Sequence, residues 1–150
     1  MKSFTLSCVA ILTATASAKL YTAMGGAGVL ALADPVLGLP NRAVLFGAAA
    51  VELAAVAFLL LSGDPLAKCA CVCWLASCFC LYRVGMSILH PGAPCPCLGN
   101  VTDRLGLKPQ TANWLMLATI VYMLVAGGVL MQRERRRRRS EAVLPPGRVQ

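Results

Sequence analysis

Four long apolar stretches, separated by short polar ones, account for most of the chain. They cover residues 4–33, 43–61, 66–89 and 112–131. Each is close to or above the roughly 20 residues that a helix needs to cross a hydrocarbon core of about 30 Å. Backbone N–H and C=O groups inside a bilayer must be bonded within their own element, so each stretch is expected to be a helix. The pattern therefore predicts an all-α fold, an integral membrane four-helix bundle.

The composition agrees with a membrane protein. Hydrophobic residues make up 58% of the chain and charged residues only 13%. Soluble domains have about 45–50% apolar and about 25% charged residues. The apolar stretches are rich in alanine and glycine, small residues that let helices approach closely when lipid gives no hydrophobic drive for association.

The basic residues predict the orientation of the bundle. Of the 14 lysines and arginines, six are arginines between positions 133 and 139, directly after the last apolar stretch. Lys/Arg-rich flanks stay in the cytoplasm, so four crossings place both termini on that side. The predicted location is the cell (inner) membrane. The loops at 34–42 and 90–110 are then extracytoplasmic. Residues 133–150 are predicted to be a disordered basic tail that binds anionic membrane lipids. No aromatic residue interleaves these arginines, so a nucleic-acid partner is not expected.

The first stretch also has features of a secretory signal. Lys2, an apolar run and Ala16-Ser17-Ala18 resemble a signal peptide with a cleavage site before Lys19. Cleavage of residues 1–18 would leave about three spans. Because apolar sequence resumes after Lys19 and continues to residue 33, we favour an uncleaved helix, and the alternative stays open.

Three charges lie well inside the apolar stretches: Lys19 in the first, Glu52 in the second and Arg83 in the third, whereas Lys68 lies near the start of the third. A charge at mid-bilayer costs about 2.5–3.5 kcal/mol on insertion scales and therefore usually faces a partner or a cavity. On the predicted topology the three lie at a similar depth, so Glu52 can neutralise one of the two cations. Tyr21 and Tyr82 can supply hydroxyl groups to the same network. A packing role for this intramembrane polar centre is about as well supported as a relay.

The loop between the third and fourth stretches contains Cys95-Pro96-Cys97. Outside the cytoplasm such a pair can be oxidised. A one-residue spacer is tight for a disulfide, so a bridge here is expected to be strained and easily reduced, which suits exchange better than a permanent crosslink. His90 and Arg83 are close in sequence and can increase the fraction of reactive thiolate. A static crosslink and two unpaired thiols remain alternatives.

The other six cysteines lie within apolar stretches: Cys8, Cys69, Cys71, Cys73, Cys78 and Cys80. No histidine accompanies them and no acid lies at their depth. We therefore interpret them as small packing residues and predict no metal site.

Several short motifs occur in a recognisable order: Ala18-Lys19, Leu39-Pro40-Asn41, Glu52, and Cys95-x-Cys97-x-Gly99 before a charge-free fourth helix. This order resembles the MauE (methylamine utilisation) branch of the DoxX-like family of four-helix membrane proteins, over roughly residues 4–130. The chain departs from that pattern at Pro96 and Leu98, where the family usually has glycine and phenylalanine. It also has additional cysteines in the third helix and an arginine-rich tail.

The resemblance implies a redox-associated membrane protein. MauE-like proteins are linked to maturation of a periplasmic, disulfide-rich amine dehydrogenase. The implied function here is a thiol–disulfide or electron-relay accessory factor with Cys95 and Cys97 as redox pair and a thioredoxin-like or disulfide-rich extracytoplasmic client. Only Lys19, Glu52, Cys95, Cys97 and Gly99 match the family pattern, and the tuning by His90 and Arg83 is expected from their proximity alone. A quinone cofactor would suit such a bundle, although no residue locates a ring-binding site. A non-catalytic assembly factor and a small proton-linked carrier are the alternatives.

Overall fold

The structure is a computed structural model, and it describes residues 1–25, 28–89 and 109–143. Its elements are four long helices and one short 3-10 helix: α1 (Lys2–Met24), the 3-10 helix (Gly28–Ala31), α2 (Asn41–Leu61), α3 (Pro65–Leu89) and α4 (Pro109–Val143). These three ranges contain no β-strand. The predicted all-α, four-helix fold is confirmed.

All four long helices are long enough and apolar enough to cross a membrane, with mean hydropathy from 1.3 in α1 to 2.5 in α2. Many large apolar side chains lie on the outside of the bundle. Leu61 and Leu81, for example, are 86% and 71% exposed. A contiguous apolar exterior of this kind is stable when lipid rather than water covers it. The chain is therefore a multi-pass membrane protein.

The first helix ends earlier than the apolar pattern predicts, at Met24 instead of residue 33. The C-cap residue Gly25 favours an end here because glycine is a poor helix former, and the side chain of Arg42 at the start of α2 caps the carbonyl groups at this end. Its Nε donates a hydrogen bond to the carbonyl oxygen of Ala23 at 2.8 Å, and its Nη2 donates to Gly25 O at 3.4 Å. These bonds satisfy carbonyl groups that a helix end leaves without partners. The apolar residues that follow belong to a connection and not to the span.

The last helix ends later than predicted, because it continues through the arginine cluster to Val143. The expected disorder of the basic tail is therefore wrong for the residues up to Val143. Arginine and glutamate are good helix formers, and here they pair one turn apart. Arg138 Nε bonds Glu134 Oε1 at 3.3 Å, and Arg137 Nε bonds Glu141 Oε1 at 3.0 Å. Arg138 also pairs with Asp64 in the turn between α2 and α3.

The helices associate mainly as two pairs, α1 with α2 and α3 with α4. One cluster of buried side chains joins all four helices, and it includes Leu12, Leu59, Val72 and Met123. This cluster lies toward the end of the bundle that carries the arginine cluster, which we call the basic end. The polar side chains described below lie between this cluster and the other end of the bundle.

A glycine lies at a close contact between α3 and α4. A Cβ atom on Gly127 would lie 2.8 Å from Cys73 Sγ, closer than real Cβ contacts. Gly128, the next residue, has open space at the same position. Only glycine fits at residue 127 without displacement of its neighbour, as expected for helices that associate through small residues.

Candidate functional site at a buried ion pair

Lys19 and Glu52 each interrupt the buried face of a helix that is otherwise mostly apolar. On α1 the neighbouring buried positions are Cys8, Leu12, Ala16 and Ala23. On α2 they are Leu45, Ala49, Ala55 and Leu59. These positions recur every three or four residues, the spacing of one helix face. Each charge therefore points into the contact between α1 and α2, where no water is available to solvate it.

The two charges pair directly. Lys19 Nζ donates a hydrogen bond to Glu52 Oε1 at 2.6 Å, and the side chains are only 5% and 2% exposed. Glu52 is 11 residues from the start of α2, about 16 Å along its axis, which places the pair near the middle of the span. Because an isolated charge is expensive at this depth, the pair also fixes the register of α1 against α2.

Further contacts surround the pair without satisfying it completely. The ring of Phe79 on α3 lies 5.5 Å from Lys19 Nζ, within the range of a cation–π interaction. The hydroxyl group of Thr15 is near the carboxylate, but it donates to Leu12 O at 3.1 Å. Glu52 Oε2 is buried and has no hydrogen-bond partner among the described residues. One oxygen of this deeply buried carboxylate, Oε2, therefore accepts no hydrogen bond from the described residues.

A cavity of about 440 Å³ lies beside the ion pair. Lys19, Glu52 and Arg83 all line it, together with side chains from α2, α3 and α4 that are mostly apolar. Arg83 does not pair with Glu52. Its Nη2 donates to the carbonyl oxygen of Asn113 at 3.5 Å, and its Nη1 is buried without a partner in the described part of the chain. The structure thus places the three intramembrane charges around one space, with two of them bonded to each other.

A second buried carboxylate, Asp34, is one that the sequence analysis did not single out. It is 0% exposed. Its Oδ1 accepts hydrogen bonds from the backbone N–H groups of Val36 and Leu37, both at 2.9 Å, and its Oδ2 accepts one from the Tyr82 hydroxyl group. Asp34-Pro35 is a typical start of a turn in which the aspartate bonds the backbone two residues on, and that signal was available. Tyr82 therefore contacts the connection before α2. Tyr21, the other tyrosine expected near the polar centre, is 54% exposed.

The proposed redox residues Cys95 and Cys97, with His90 and Gly99, lie outside the described residues. Their arrangement, and the tuning role of Arg83 toward them, stays a prediction. The six helix cysteines are described, and all are free thiols. Cys8, Cys69 and Cys73 lie near one another toward the basic end. Within the described ranges, no group of three or more histidine, cysteine, aspartate or glutamate side chains is placed to hold a metal ion.

Comparisons with known proteins add no relative. No family model, no curated protein and no solved structure matches the chain. The resemblance to MauE-like proteins therefore depends on the short motifs alone. The class defined by the fold is a four-helix, multi-pass membrane protein with a buried lysine–glutamate pair.

Proposed function

We propose that this protein is a redox-associated accessory factor of the cell membrane, which exchanges electrons or disulfides with an extracytoplasmic client through Cys95 and Cys97. The client would be a thioredoxin-like or disulfide-rich protein whose maturation needs this exchange. The proposal follows from the motif order that the chain shares with MauE-like proteins, and its chemistry resides in the loop between α3 and α4.

One observation carries the proposal. Lys19 and Glu52 are the two intramembrane residues that the resemblance assigns, and their side chains meet at 2.6 Å although they are 33 positions apart in the sequence. A charge at this depth usually faces a partner, and here each of the two motif residues is the partner of the other. Their contact supports the view that these motif residues form one polar centre, and it supports the resemblance from which the cysteine role is taken.

The proposed orientation has both termini in the cytoplasm. Arginine-rich flanks are retained on that side of the membrane. Asp64, in the turn between α2 and α3, contacts Arg138, which supports assigning this turn to the same side. The connections after α1 and after α3 are then extracytoplasmic, where a cysteine pair can be oxidised.

The proposed reaction is a thiol–disulfide exchange. A thiolate of the Cys95–Cys97 pair attacks a disulfide of the client, and a mixed disulfide forms as one client sulfur leaves. The second cysteine then displaces the remaining client sulfur. The pair loses two electrons and two protons overall and becomes a disulfide, and the client disulfide becomes two thiols. The reverse sequence oxidises the client by the same steps.

Differential alkylation in intact cells tests this proposal. We expect Cys95 and Cys97 to change between oxidised and reduced forms when the supply of electron acceptor changes, and the thiols of Cys78 and Cys80 to stay reduced as internal controls. If Cys95 and Cys97 remain fully reduced under every condition, the exchange proposal is wrong. If they are permanently oxidised and the double variant Cys95→Ser/Cys97→Ser leaves client maturation unchanged, the non-catalytic assembly role is favoured instead.

A further inference from the structure

Two residues that line the cavity each carry a buried polar atom without a partner in the described residues, and the two atoms differ in kind. Glu52 Oε2 can only accept a hydrogen bond while the carboxylate is ionised, and Arg83 Nη1 can only donate one. Glu52 is 1% exposed. Buried polar atoms are bonded in the great majority of cases, so two unbonded atoms around one space call for an explanation. An occupant with one donor and one acceptor would satisfy both.

The charges of the cavity limit the head group of such an occupant. Lys19 and Glu52 neutralise each other, whereas Arg83 forms no ion pair with a described carboxylate. The cavity therefore has one positive charge, that of Arg83, which no described carboxylate neutralises. This charge favours a head group that accepts a hydrogen bond. A carboxylate would offer acceptors to Arg83 but no donor to Glu52, and an ammonium group would be repelled. A neutral hydroxyl group supplies both a donor and an acceptor.

The lining of the cavity limits the rest of the molecule. Trp74 and Phe79 from α3 and Met116 and Met123 from α4 contribute to it. Aromatic and methionine side chains make favourable contacts with an aromatic ring. A volume of about 440 Å³ suits a substituted ring with a short chain, since small-molecule sites span roughly 300–1,000 Å³. Trp74 is also 63% exposed on the outside of the bundle, so this side of the cavity borders the lipid-facing surface.

We infer that the cavity between the two helix pairs binds a lipophilic phenol from the bilayer, with its hydroxyl group between Glu52 and Arg83. The hydroxyl donates to Glu52 Oε2 and accepts from Arg83 Nη1, and the ring lies among the aromatic and methionine side chains. Both polar atoms are shielded from solvent in this conformation, so binding requires the side chains of Glu52 and Arg83 to turn toward the cavity. This inference holds whether or not the cysteine pair exchanges electrons.

Other occupants make different predictions. Water would satisfy the polar atoms and leave the apolar lining wet, which is unfavourable next to lipid. An acyl chain of a lipid would fill the apolar part and leave Glu52 and Arg83 unbonded. A phenol satisfies both parts, and it should therefore bind more tightly than an analogue that lacks either the hydroxyl donor or the ring.

Quenching of Trp74 fluorescence tests the inference in the full-length protein, reconstituted in lipid nanodiscs. The chain has two tryptophans, so the substitution Trp114→Phe, introduced into every protein tested, leaves Trp74 as the only one. The probes are a brominated hexylphenol, its methyl ether, and a brominated aliphatic alcohol of similar length. The ether keeps the ring and an acceptor but loses the donor, and the alcohol keeps the hydroxyl group but loses the ring. Bromine quenches tryptophan only at short range.

We expect saturable quenching by the phenol, with a Kd about tenfold below those of the ether and the alcohol, the size expected for one hydrogen bond to a charged group. Glu52→Gln should remove most of the difference between phenol and ether. Gly47 lines the cavity and has open space at its Cβ position, so Gly47→Leu should weaken phenol binding at least tenfold. Gly128→Leu, also in open space but away from the cavity, is the matched control and should bind normally.

Several outcomes would overturn the inference. Linear, unsaturated quenching by all three probes would mean that they only partition into lipid. Equal affinity for phenol and ether would exclude the hydroxyl contact with Glu52, and equal affinity for phenol and alcohol would exclude the ring site. If Glu52→Gln does not fold, the Gly47→Leu and Gly128→Leu pair still decides the location, because equal binding by these two variants places the phenol elsewhere.

Discussion

Replacement of Lys19 by methionine is the sharpest test of how this bundle is held together. Methionine keeps an unbranched apolar chain of similar length and removes the cation. In the native protein the Nζ–Oε1 distance is 2.6 Å and both side chains are almost completely buried. Without Lys19, Oε1 of Glu52 would lose its cation, and Oε2 already has no partner in the described chain. The carboxylate would then remain in the helix contact with no cation bonded to it.

The expected loss is large because an uncompensated buried charge remains. Removal of one member of a buried ion pair costs about 3–5 kcal/mol in free energy of unfolding. The double variant Lys19→Met/Glu52→Leu should recover most of this loss, because an apolar pair of similar volume is often as stable as the buried ion pair. Glu141→Gln, which breaks an exposed pair with Arg137, is the matched control and should cost only about 0.3–0.5 kcal/mol.

Reversible unfolding in mixed micelles, followed by circular dichroism, measures these three free energies. The reasoning requires Lys19→Met to be the least stable variant by several kcal/mol and the double variant to lie close to the native protein. A loss as small as that of Glu141→Gln would show that the pair contributes no buried electrostatic stabilisation. A double variant no better than the single one would show that the lysine chain itself, and not its charge, is needed for packing.

Three further predictions concern other contacts in the bundle. Tyr82→Phe removes a donor to the fully buried Asp34 and should lower the free energy of unfolding by about 1–3 kcal/mol, measured in the same micelles. Gly127→Val should destabilise the protein by about 1–3 kcal/mol because its Cβ would lie 2.8 Å from a neighbouring sulfur atom, whereas Gly128→Val should change the thermal midpoint little. The pKa of Asp64 is lowered, first by the hydrogen bond that it accepts from a backbone N–H group at the start of α3 and then by its arginine partner. Its contribution to stability should therefore be present above the usual aspartate pKa of about 3.9 and be lost as the pH falls through the lowered value, so acid scans of Asp64→Asn should show a smaller decline than those of the native protein.

Much of the fold could be predicted from local sequence. Length and apolar content alone indicated four spanning helices, because a bilayer permits few other structures. The ends of α2 and α3 also followed from local signals, and Asp64-Pro65 is an N-terminal helix signal with Asp64 Oδ1 bonded to the N–H of Leu66 at 2.9 Å. The two errors have different causes. Arg42, 19 positions after Ala23 in the chain, caps the early end of α1 at Gly25, whereas α4 is extended by local pairs between glutamates and arginines one turn apart.

The candidate site, like the fold, was only partly predictable from the sequence. Sequence alone identified Lys19, Glu52 and Arg83, since any charge in an apolar span is conspicuous. It could not decide which cation Glu52 would bind, and it overlooked Asp34, whose burial depends on contact with Tyr82 on another helix.

The amino-acid sequence by itself determined that this chain is a four-helix membrane protein with three charges inside its spans, because hydropathy and helix length are properties of short segments. Tertiary structure alone decided that Lys19 binds Glu52, that Arg83 stays apart from them, and that a cavity opens between the two helix pairs. These outcomes depend on the rotation and register of helices against one another, which are set by contacts between residues far apart in the chain.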